Sequence, residues 1–212
     1  MPQKTFNNLP PERQKEIVNV GLEEFAGNDF ESASLTDIIN RLGIAKGSFY
    51  RYFESKEALY NYLLGFCREL FTLNTVRMLN SPSKEFASLW QDMFLSFKRR
   101  EEEYPMIIRF WLRVAKNRPY SHEESSDALR RKLEMLRENL SSRRETDSLR
   151  EESADLEYVS MVILYHQLAL VDYICFKYRI PPDKPIFSLS EEQLKSEVSR
   201  FADILLNGIR KG

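Results

Sequence analysis

The residues best suited to chemistry lie between Ser34 and Lys56, in the stretch SLTDIINRLGIAKGSFYRYFESK. Read as helix, Phe49 and Phe53 share a face with Ile44 and turn inward, which leaves Lys46, Gly47, Ser48, Tyr50, Arg51 and Tyr52 facing outward or sideways. Cations, a hydroxyl and two phenols on one short element form a set that grips phosphates and touches base edges, and Gly47 lets the backbone approach a groove closely. Thr36 and Lys56 flank that set. Ser34 presents a helix N-terminus, where free amides favour an anion. For either tyrosine alone, covering the junction between two helices is the competing role.

Such a set acts only if short helices hold it. A first helix is predicted to start near Pro10 or Pro11, where a missing amide is harmless, and to run through Ile17, Val20, Gly21 and Phe25 to Gly27. A second opens at Ser34, whose hydroxyl caps the first turn while Asp37 reciprocates. It buries Leu35, Ile38, Ile39 and Leu42 and ends at Gly43 in a left-handed conformation. After a turn at Ile44 and Ala45 come a third helix, Lys46 to Tyr52, and a long fourth capped by Ser55, which carries Leu59, Leu63, Phe66, Leu70 and Leu73. Further helices are predicted near 84–100, 105–117, 123–143, 153–178 and 190–209, parted by Pro105, Pro119 and the PPDKP run at 181–185. Gly65 and Gly208 bracket a long stretch without glycine, too little turn punctuation for a sheet. The predicted fold is all-α with about nine helices: an N-terminal helix-turn-helix domain over residues 1–55 and a larger helical domain over residues 56–212. The run KRREEE at 98–103 reads as a solvated helix end, and residues 141–153 as a loop.

Charge is balanced, with a formal net charge of -1, so the chain as a whole does not attract nucleic acid. The first sixty residues hold seven basic and nine acidic side chains, yet four of the seven basic ones fall between Arg41 and Lys56. Cys67 and Cys175 lack CxxC spacing and read as reduced thiols. The N-terminus has no apolar signal region, and the apolar run from Met161 to Phe176 is interrupted by His166, Gln167 and Asp172. A cytoplasmic protein without a membrane span is expected. His122, His166 and two separated cysteines make no metal cluster, and no glycine-rich phosphate cradle or nucleophile elbow occurs. Neither a metal, a cofactor nor an enzymatic activity is expected.

The segment LTDIINRLGIAKGSFYRYFESKEAL resembles the signature of the TetR/AcrR family. That signature is a capped helix ending in Gly, a Lys-Gly-Ser/Thr-hydrophobe-Tyr-x-x-Phe run, then Ser-Lys-Glu-x-Leu opening the next helix. The resemblance covers about residues 10–65 and vanishes in the C-terminal two thirds. It departs at Ile39, where the family usually places alanine. It implies a sequence-specific regulator of transcription, a repressor on a palindromic double-stranded DNA operator, with Lys46 and Tyr50 on base edges and Ser48, Tyr52 and Lys56 on phosphates. Gly47, Arg51, Thr36 and Ser34 complete the implied interface. It also implies a homodimer joined by the last two helices.

The patterning agrees with dimerisation, because the helix from Asp155 to Lys177 is apolar on nearly every face and needs covering on two sides. Val159, Ile163, Leu170 and Ile174 on that helix, with Leu194, Val198, Phe201 and Leu205 on the last, are the expected interface. A core that stays within one chain is the competing role. For a small-molecule effector, Phe94, Tyr104, Arg109, Trp111, Arg113, Tyr165 and His166 are candidate contacts, Arg109 and Arg113 sitting one turn apart as a clamp for an anion. Plain core packing is the competing role for the aromatic members. The alternative function is a dimeric DNA-binding protein without an effector, its C-terminal domain serving dimerisation or a protein partner.

Overall fold

A computed structural model describes residues 2–79, 86–117 and 156–207, and every regular element among them is an α-helix. In chain order these are α1 (Lys4–Asn7), α2 (Pro11–Gly27), α3 (Leu35–Leu42), α4 (Lys46–Tyr50), α5 (Lys56–Leu79), α6 (Phe86–Glu103), α7 (Ile107–Asn117), α8 (Leu156–Lys177) and α9 (Glu191–Asn207). The all-α reading holds. The helix predicted at 123–143, the loop at 141–153 and His122 lie outside the described residues.

Local chemistry explains most boundaries. Pro11 opens α2, Gly43 closes α3 at φ 62° and ψ 31°, and Ser55 Oγ accepts the Ala58 amide at 3.1 Å to open α5. Two boundaries differ from expectation. Residues 4–7 form a helix of their own, because Phe6 is fully buried against Phe53 and Tyr62 and fixes a segment whose local sequence shows no helical period. The KRREEE run is not a solvated end: α6 continues through Glu103, Glu101 is 3% exposed, and Lys98 Nζ donates to the Phe187 carbonyl at 3.1 Å.

The chain divides into two compact units. The first comprises residues 1–73, 99–115 and 181–185. Its centre is a ring cluster in which Phe25, Tyr60 and Phe110 meet with centroids 5.1 to 6.4 Å apart. At Gly21 a Cβ would come within 2.9 Å of Leu63 Cδ1, so α2 and α5 pass closely there. Arg113 on α7 donates to the carbonyls of Ala26 at 2.8 Å and Gly27 at 3.2 Å, and to Asp29 at 2.9 Å, capping the C-terminal end of α2. Arg109 donates to the carbonyls of Lys184 at 2.6 Å and Pro181 at 2.7 Å.

The second unit comprises residues 74–98, 116–180 and 186–212. Leu170, Val171 and Ile174 of α8 are buried, as are Leu194, Val198 and Ala202 of α9, at the i, i+4 and i+8 spacing of one helix face. Trp90, Phe94, Phe97 and Phe187 form an edge-to-face and stacked aromatic group. α8 ends with Arg179 at φ 50°, its last carbonyls met by the amides of Arg179 and Ile180.

Glu197 is a buried carboxylate on α9 that binds the end of α8. Its Oε1 accepts from Lys177 Nζ and, at 2.9 Å, from Tyr178 Oη, while Arg200 lies 3.9 Å from Oε2. Burial alone would raise the carboxyl, but the Lys177 and Tyr178 hydrogen bonds and the Lys177 and Arg200 charges outweigh it and hold Glu197 below its ordinary 4.5. A carboxyl lower in the folded than in the unfolded chain adds stability that is present above pH 4.5 and is lost as pH falls through the folded value. Unfolding followed from pH 7 to pH 2 is therefore expected to show a steep acid loss in the wild type and a shallower one in Glu197→Gln, which starts from lower stability at pH 7. Identical acid slopes would remove Glu197 as the cause.

Candidate nucleic-acid interface

Two short helices and the turn between them carry the outward residues. Ser34 Oγ accepts the Asp37 amide at 3.1 Å, as the capping pattern predicts. The reciprocal half differs, because the Ser34 amide is met by Glu24 Oε1 at 2.8 Å. Glu24, 7% exposed, also accepts from Asn28 at 3.1 Å, so a buried carboxylate of α2 fastens the start of α3. At the other end Arg13 of α2 donates to the Leu42 carbonyl at 3.0 Å. Gly43 in the left-handed region then redirects the chain, with its amide on the Asn40 carbonyl and the Ile44 amide on that of Ile39.

The helix α4 sits on Phe49 and Phe53, both fully buried. Lys46, Gly47, Tyr50 and Arg51 are exposed, and Ser48 and Tyr52 half-buried. Tyr50, at 41% exposure, is one of four large hydrophobic side chains left exposed among the described residues. Its ring stands edge-on to Phe49 at 5.6 Å, which limits its freedom without covering it. A Cβ at Gly47 would meet nothing within 4 Å, so the chain's own packing does not require glycine there. Open backbone at that point fits the approach of an outside surface. Thr36 is exposed and Ser34 half-buried at the start of α3. The geometry thus brings Ser34, Thr36, Lys46, Gly47, Ser48, Tyr50, Arg51 and Tyr52 onto two adjoining helices of the first unit.

Lys56 has different work. Its ammonium donates to the carbonyls of Phe30 at 2.6 Å, Ala33 at 2.9 Å and Glu31 at 3.3 Å, and lies 4.7 Å from the Phe30 ring centroid. Three carbonyls use all three donors of a lysine. Lys56 therefore ties the loop before α3 to the start of α5.

Sequence reasoning passed over residues 3–5. The Gln3 amide donates to the Tyr52 carbonyl at 2.9 Å, Gln3 Nε2 to that of Tyr50 at 3.3 Å, and Thr5 Oγ1 to that of Arg51. Phe6 and Leu9 before Pro10 and Pro11 are the apolar signal that this stretch packs.

The candidate effector residues fall in both units. Tyr104, Arg109, Trp111 and Arg113 belong to the first unit, and Phe94, Tyr165 and His166 to the second. Arg109 and Arg113 form no clamp for an anion, because each is spent on backbone carbonyls and Arg113 also on Asp29. Trp111 is half-buried on α7. Tyr104 stands edge-on to Phe66 at 4.9 Å, its phenol pushed up by burial and by the Glu103 charge. Phe94 is fully buried core. Tyr165 is 44% exposed. His166 lies 4.6 Å from the Phe201 ring and 6.2 Å from Trp90, and its Nε2 is buried without a hydrogen-bond partner among the described residues.

Of the residues expected between two chains, Leu170, Ile174, Leu194 and Val198 are at 0% exposure within one chain and form its own seam. Phe201 and Leu205 are half-buried, and the side chains of Val159 and Ile163 lie outside those described. The bare apolar side chains are others: Phe176 at 82%, Tyr165 at 44% and Ile204 at 43%.

Residues 17–63 match the sequence model of the bacterial regulatory proteins of the tetR family. Over that segment, which lies in the N-terminal head, the chain is similar to the tetR family. The fold agrees: a TetR family transcriptional regulator from Chloroflexus aurantiacus superposes over 100% of both chains with a TM-score of 0.76 at 23% identity. The transcriptional regulator FadR of Bacillus subtilis, solved in complex with stearoyl-CoA, does so over 92% of this chain and 98% of that one, with a TM-score of 0.64 at 16% identity. In sequence, the Staphylococcus aureus IcaR, a negative transcriptional regulator of the biofilm operon icaADBC, is 27% identical over 127 residues, 59% of this chain and 63% of that protein. Three HTH-type regulators of Bacillus subtilis match over 23 to 27% of their own length, so the matched segment spans about a quarter of those relatives. The matched family is one of bacterial regulatory proteins, and the Chloroflexus structure is a transcriptional regulator. No helix among the described residues is long and apolar enough to cross a membrane, and none of their His, Cys, Asp and Glu groups is placed to hold a metal.

The Lys56 contacts in the head give a direct test. Lys56→Met is expected to lower folding stability by about 1.5 to 3 kcal/mol, the range for hydrogen bonds to a charged donor. Denaturant unfolding measures it, and a midpoint equal to wild type would show that the loop holds without the ammonium.

Proposed function

We propose that the chain is a homodimeric transcriptional repressor whose head, residues 1–55, reads a palindromic DNA operator. Residues 56–212, on this reading, join two copies and bind a small molecule that releases the DNA. The observation that carries the DNA-reading part is the outer face of α4: exposed Lys46, Gly47, Tyr50 and Arg51 on a helix whose inner face is fully buried. Lys46 and Tyr50 contact base edges, Ser48, Arg51 and Tyr52 hold phosphates on either side, and Ser34 and Thr36 place the start of α3 against the backbone. Lys56 adds charge near that backbone and supports the loop. The name of IcaR, a negative regulator, supports repression over activation. Such a reader acts in the cytoplasm, where its operator is.

Dimerisation is supported by where apolar surface is left bare. Among the described residues, Tyr50 is one of four exposed large hydrophobics and the other three, Tyr165, Phe176 and Ile204, lie on α8 and α9. A second copy that covers them gives two heads, and two heads about 34 to 36 Å apart read an inverted repeat with far greater discrimination than one.

An effector is supported by the unpartnered His166 Nε2 beside Trp90 and Phe201, a buried polar atom that a ligand group would satisfy. FadR with stearoyl-CoA shows that a protein of this fold takes such a ligand. A second reading, a dimeric DNA-binding protein without an effector, is favoured by Trp90 at 1% and Phe94 at 0% exposure, which read as filled core.

Selection from random duplexes at several salt concentrations tests the reader. Wild type is expected to enrich an inverted repeat, and Tyr50→Ala to alter preference at particular positions by about 1 to 3 kcal/mol. A folded dimer that enriches no sequence is not a specific reader. Sedimentation tests the dimer: Phe176→Glu, a charge in place of an exposed apolar ring, is expected to weaken association at least tenfold. An unchanged monomer–dimer equilibrium would move the interface elsewhere.

A further inference from the structure

A helix of five residues ends almost as soon as it begins, and its last carbonyls have no amide of its own to meet them. In α4 these carbonyls belong to Tyr50, to Arg51, which forms its C-cap at φ -78° and ψ -15°, and to Tyr52 just beyond. Each is met from the N-terminal end of the chain: Tyr50 by Gln3 Nε2, Arg51 by Thr5 Oγ1 and Tyr52 by the Gln3 amide. The donors are not a loose tail. Phe6 directly after them is at 0% exposure, with its ring 4.9 Å from Phe53 and 5.2 Å from Tyr62.

We infer that Gln3 and Thr5 are positioning residues for operator reading, a clamp that sets the last turn of α4 so that Tyr50 and Tyr52 meet the groove in one orientation. This rests on the reading that α4 enters DNA. The carbonyls they hold belong to the very residues whose side chains form the outer face, so a change at residues 3–5 reaches Tyr50 and Tyr52 through one peptide unit. Base contacts require placement to about 0.5 Å, and a single helical turn does not keep that by itself. In this role neither Gln3 nor Thr5 touches a base.

The full-length chain and three variants test the clamp. Thr5→Val keeps the shape and removes the hydroxyl donor, and Thr5→Ser restores it. Gln3→Leu removes the side-chain donor of residue 3 and leaves its backbone amide on the Tyr52 carbonyl. Affinity for the selected operator and for an unrelated duplex is measured at one salt concentration, beside the unfolding midpoint. The ratio of specific to non-specific affinity is expected to fall about threefold in Thr5→Val and about threefold in Gln3→Leu, and to return to wild type in Thr5→Ser. The lost preference falls at the base positions that Tyr50→Ala alters. An unchanged ratio in both Thr5→Val and Gln3→Leu overturns the clamp. So does a parallel fall of both affinities with the unfolding midpoint, which would make residues 3–5 plain scaffold. A wild type that enriches no sequence overturns the operator reading beneath it.

Discussion

The first unit depends on the seating of α4. A helix of one turn does not hold itself in water, since nucleation costs more than so few hydrogen bonds return. Its place is imposed by Phe49 and Phe53, each fully buried and each contributing about 1.5 to 3 kcal/mol by leaving water. Around that anchor the remaining contacts are directional. Phe6 and Tyr62 enclose Phe53, Gly43 sets the turn into the helix, and Arg13 and Glu24 hold the two ends of α3 against α2. Of the outer residues, Lys46, Gly47, Tyr50 and Arg51 are exposed, so the anchor of α4 lies beneath them.

A second regularity concerns cations. Helix and loop carbonyls without amide partners must be satisfied, and in this chain long basic side chains do much of it. Arg13 serves Leu42, Lys56 serves Phe30 and Ala33, Arg113 serves Ala26 and Gly27, Arg109 serves Lys184 and shares Pro181 with the Lys184 amide, and Lys98 serves Phe187. Counting basic residues along the sequence therefore overstates the positive charge available to a partner. The same habit explains why Arg109 and Arg113, one turn apart on α7, reach two different sets of carbonyls instead of one anion.

Much of this was legible in the sequence, and the limits have physical causes. The Ser34 cap, the left-handed Gly43, the Ser55 cap and the burial of Phe49 and Phe53 are local, set by residue type within a turn or two, and each appears where its residues predict. What sequence could not show is pairing at long range. Glu24 takes the Ser34 amide from ten residues away, and Gln3 and Thr5 reach carbonyls more than forty residues later. No periodicity encodes such contacts. The apolar pattern of α8 marked a helix needing cover on two sides but not which residues faced which way. Leu170 and Ile174 turn to α9 of the same chain, and Phe176, two residues beyond Ile174, turns out.

The distribution of charge on the head bears on how it would read DNA. Arg41 pairs with Glu23 and approaches Glu24, and Lys56 is taken up by the loop before α3. On α4 and its cap, Lys46 and Arg51 are exposed and hold no ion pair among the described residues. Each phosphate neutralised adds about -0.9 to the slope of log affinity against log salt, so on the proposed reading a head with few free cations implies a shallow slope and weak binding to unrelated DNA. On that proposed reading, discrimination rests on placement of Tyr50, Tyr52 and the open backbone at Gly47 more than on bulk attraction. A head of that kind tolerates little angular error, and the buried phenylalanines beneath α4 matter to recognition for that reason as much as to stability.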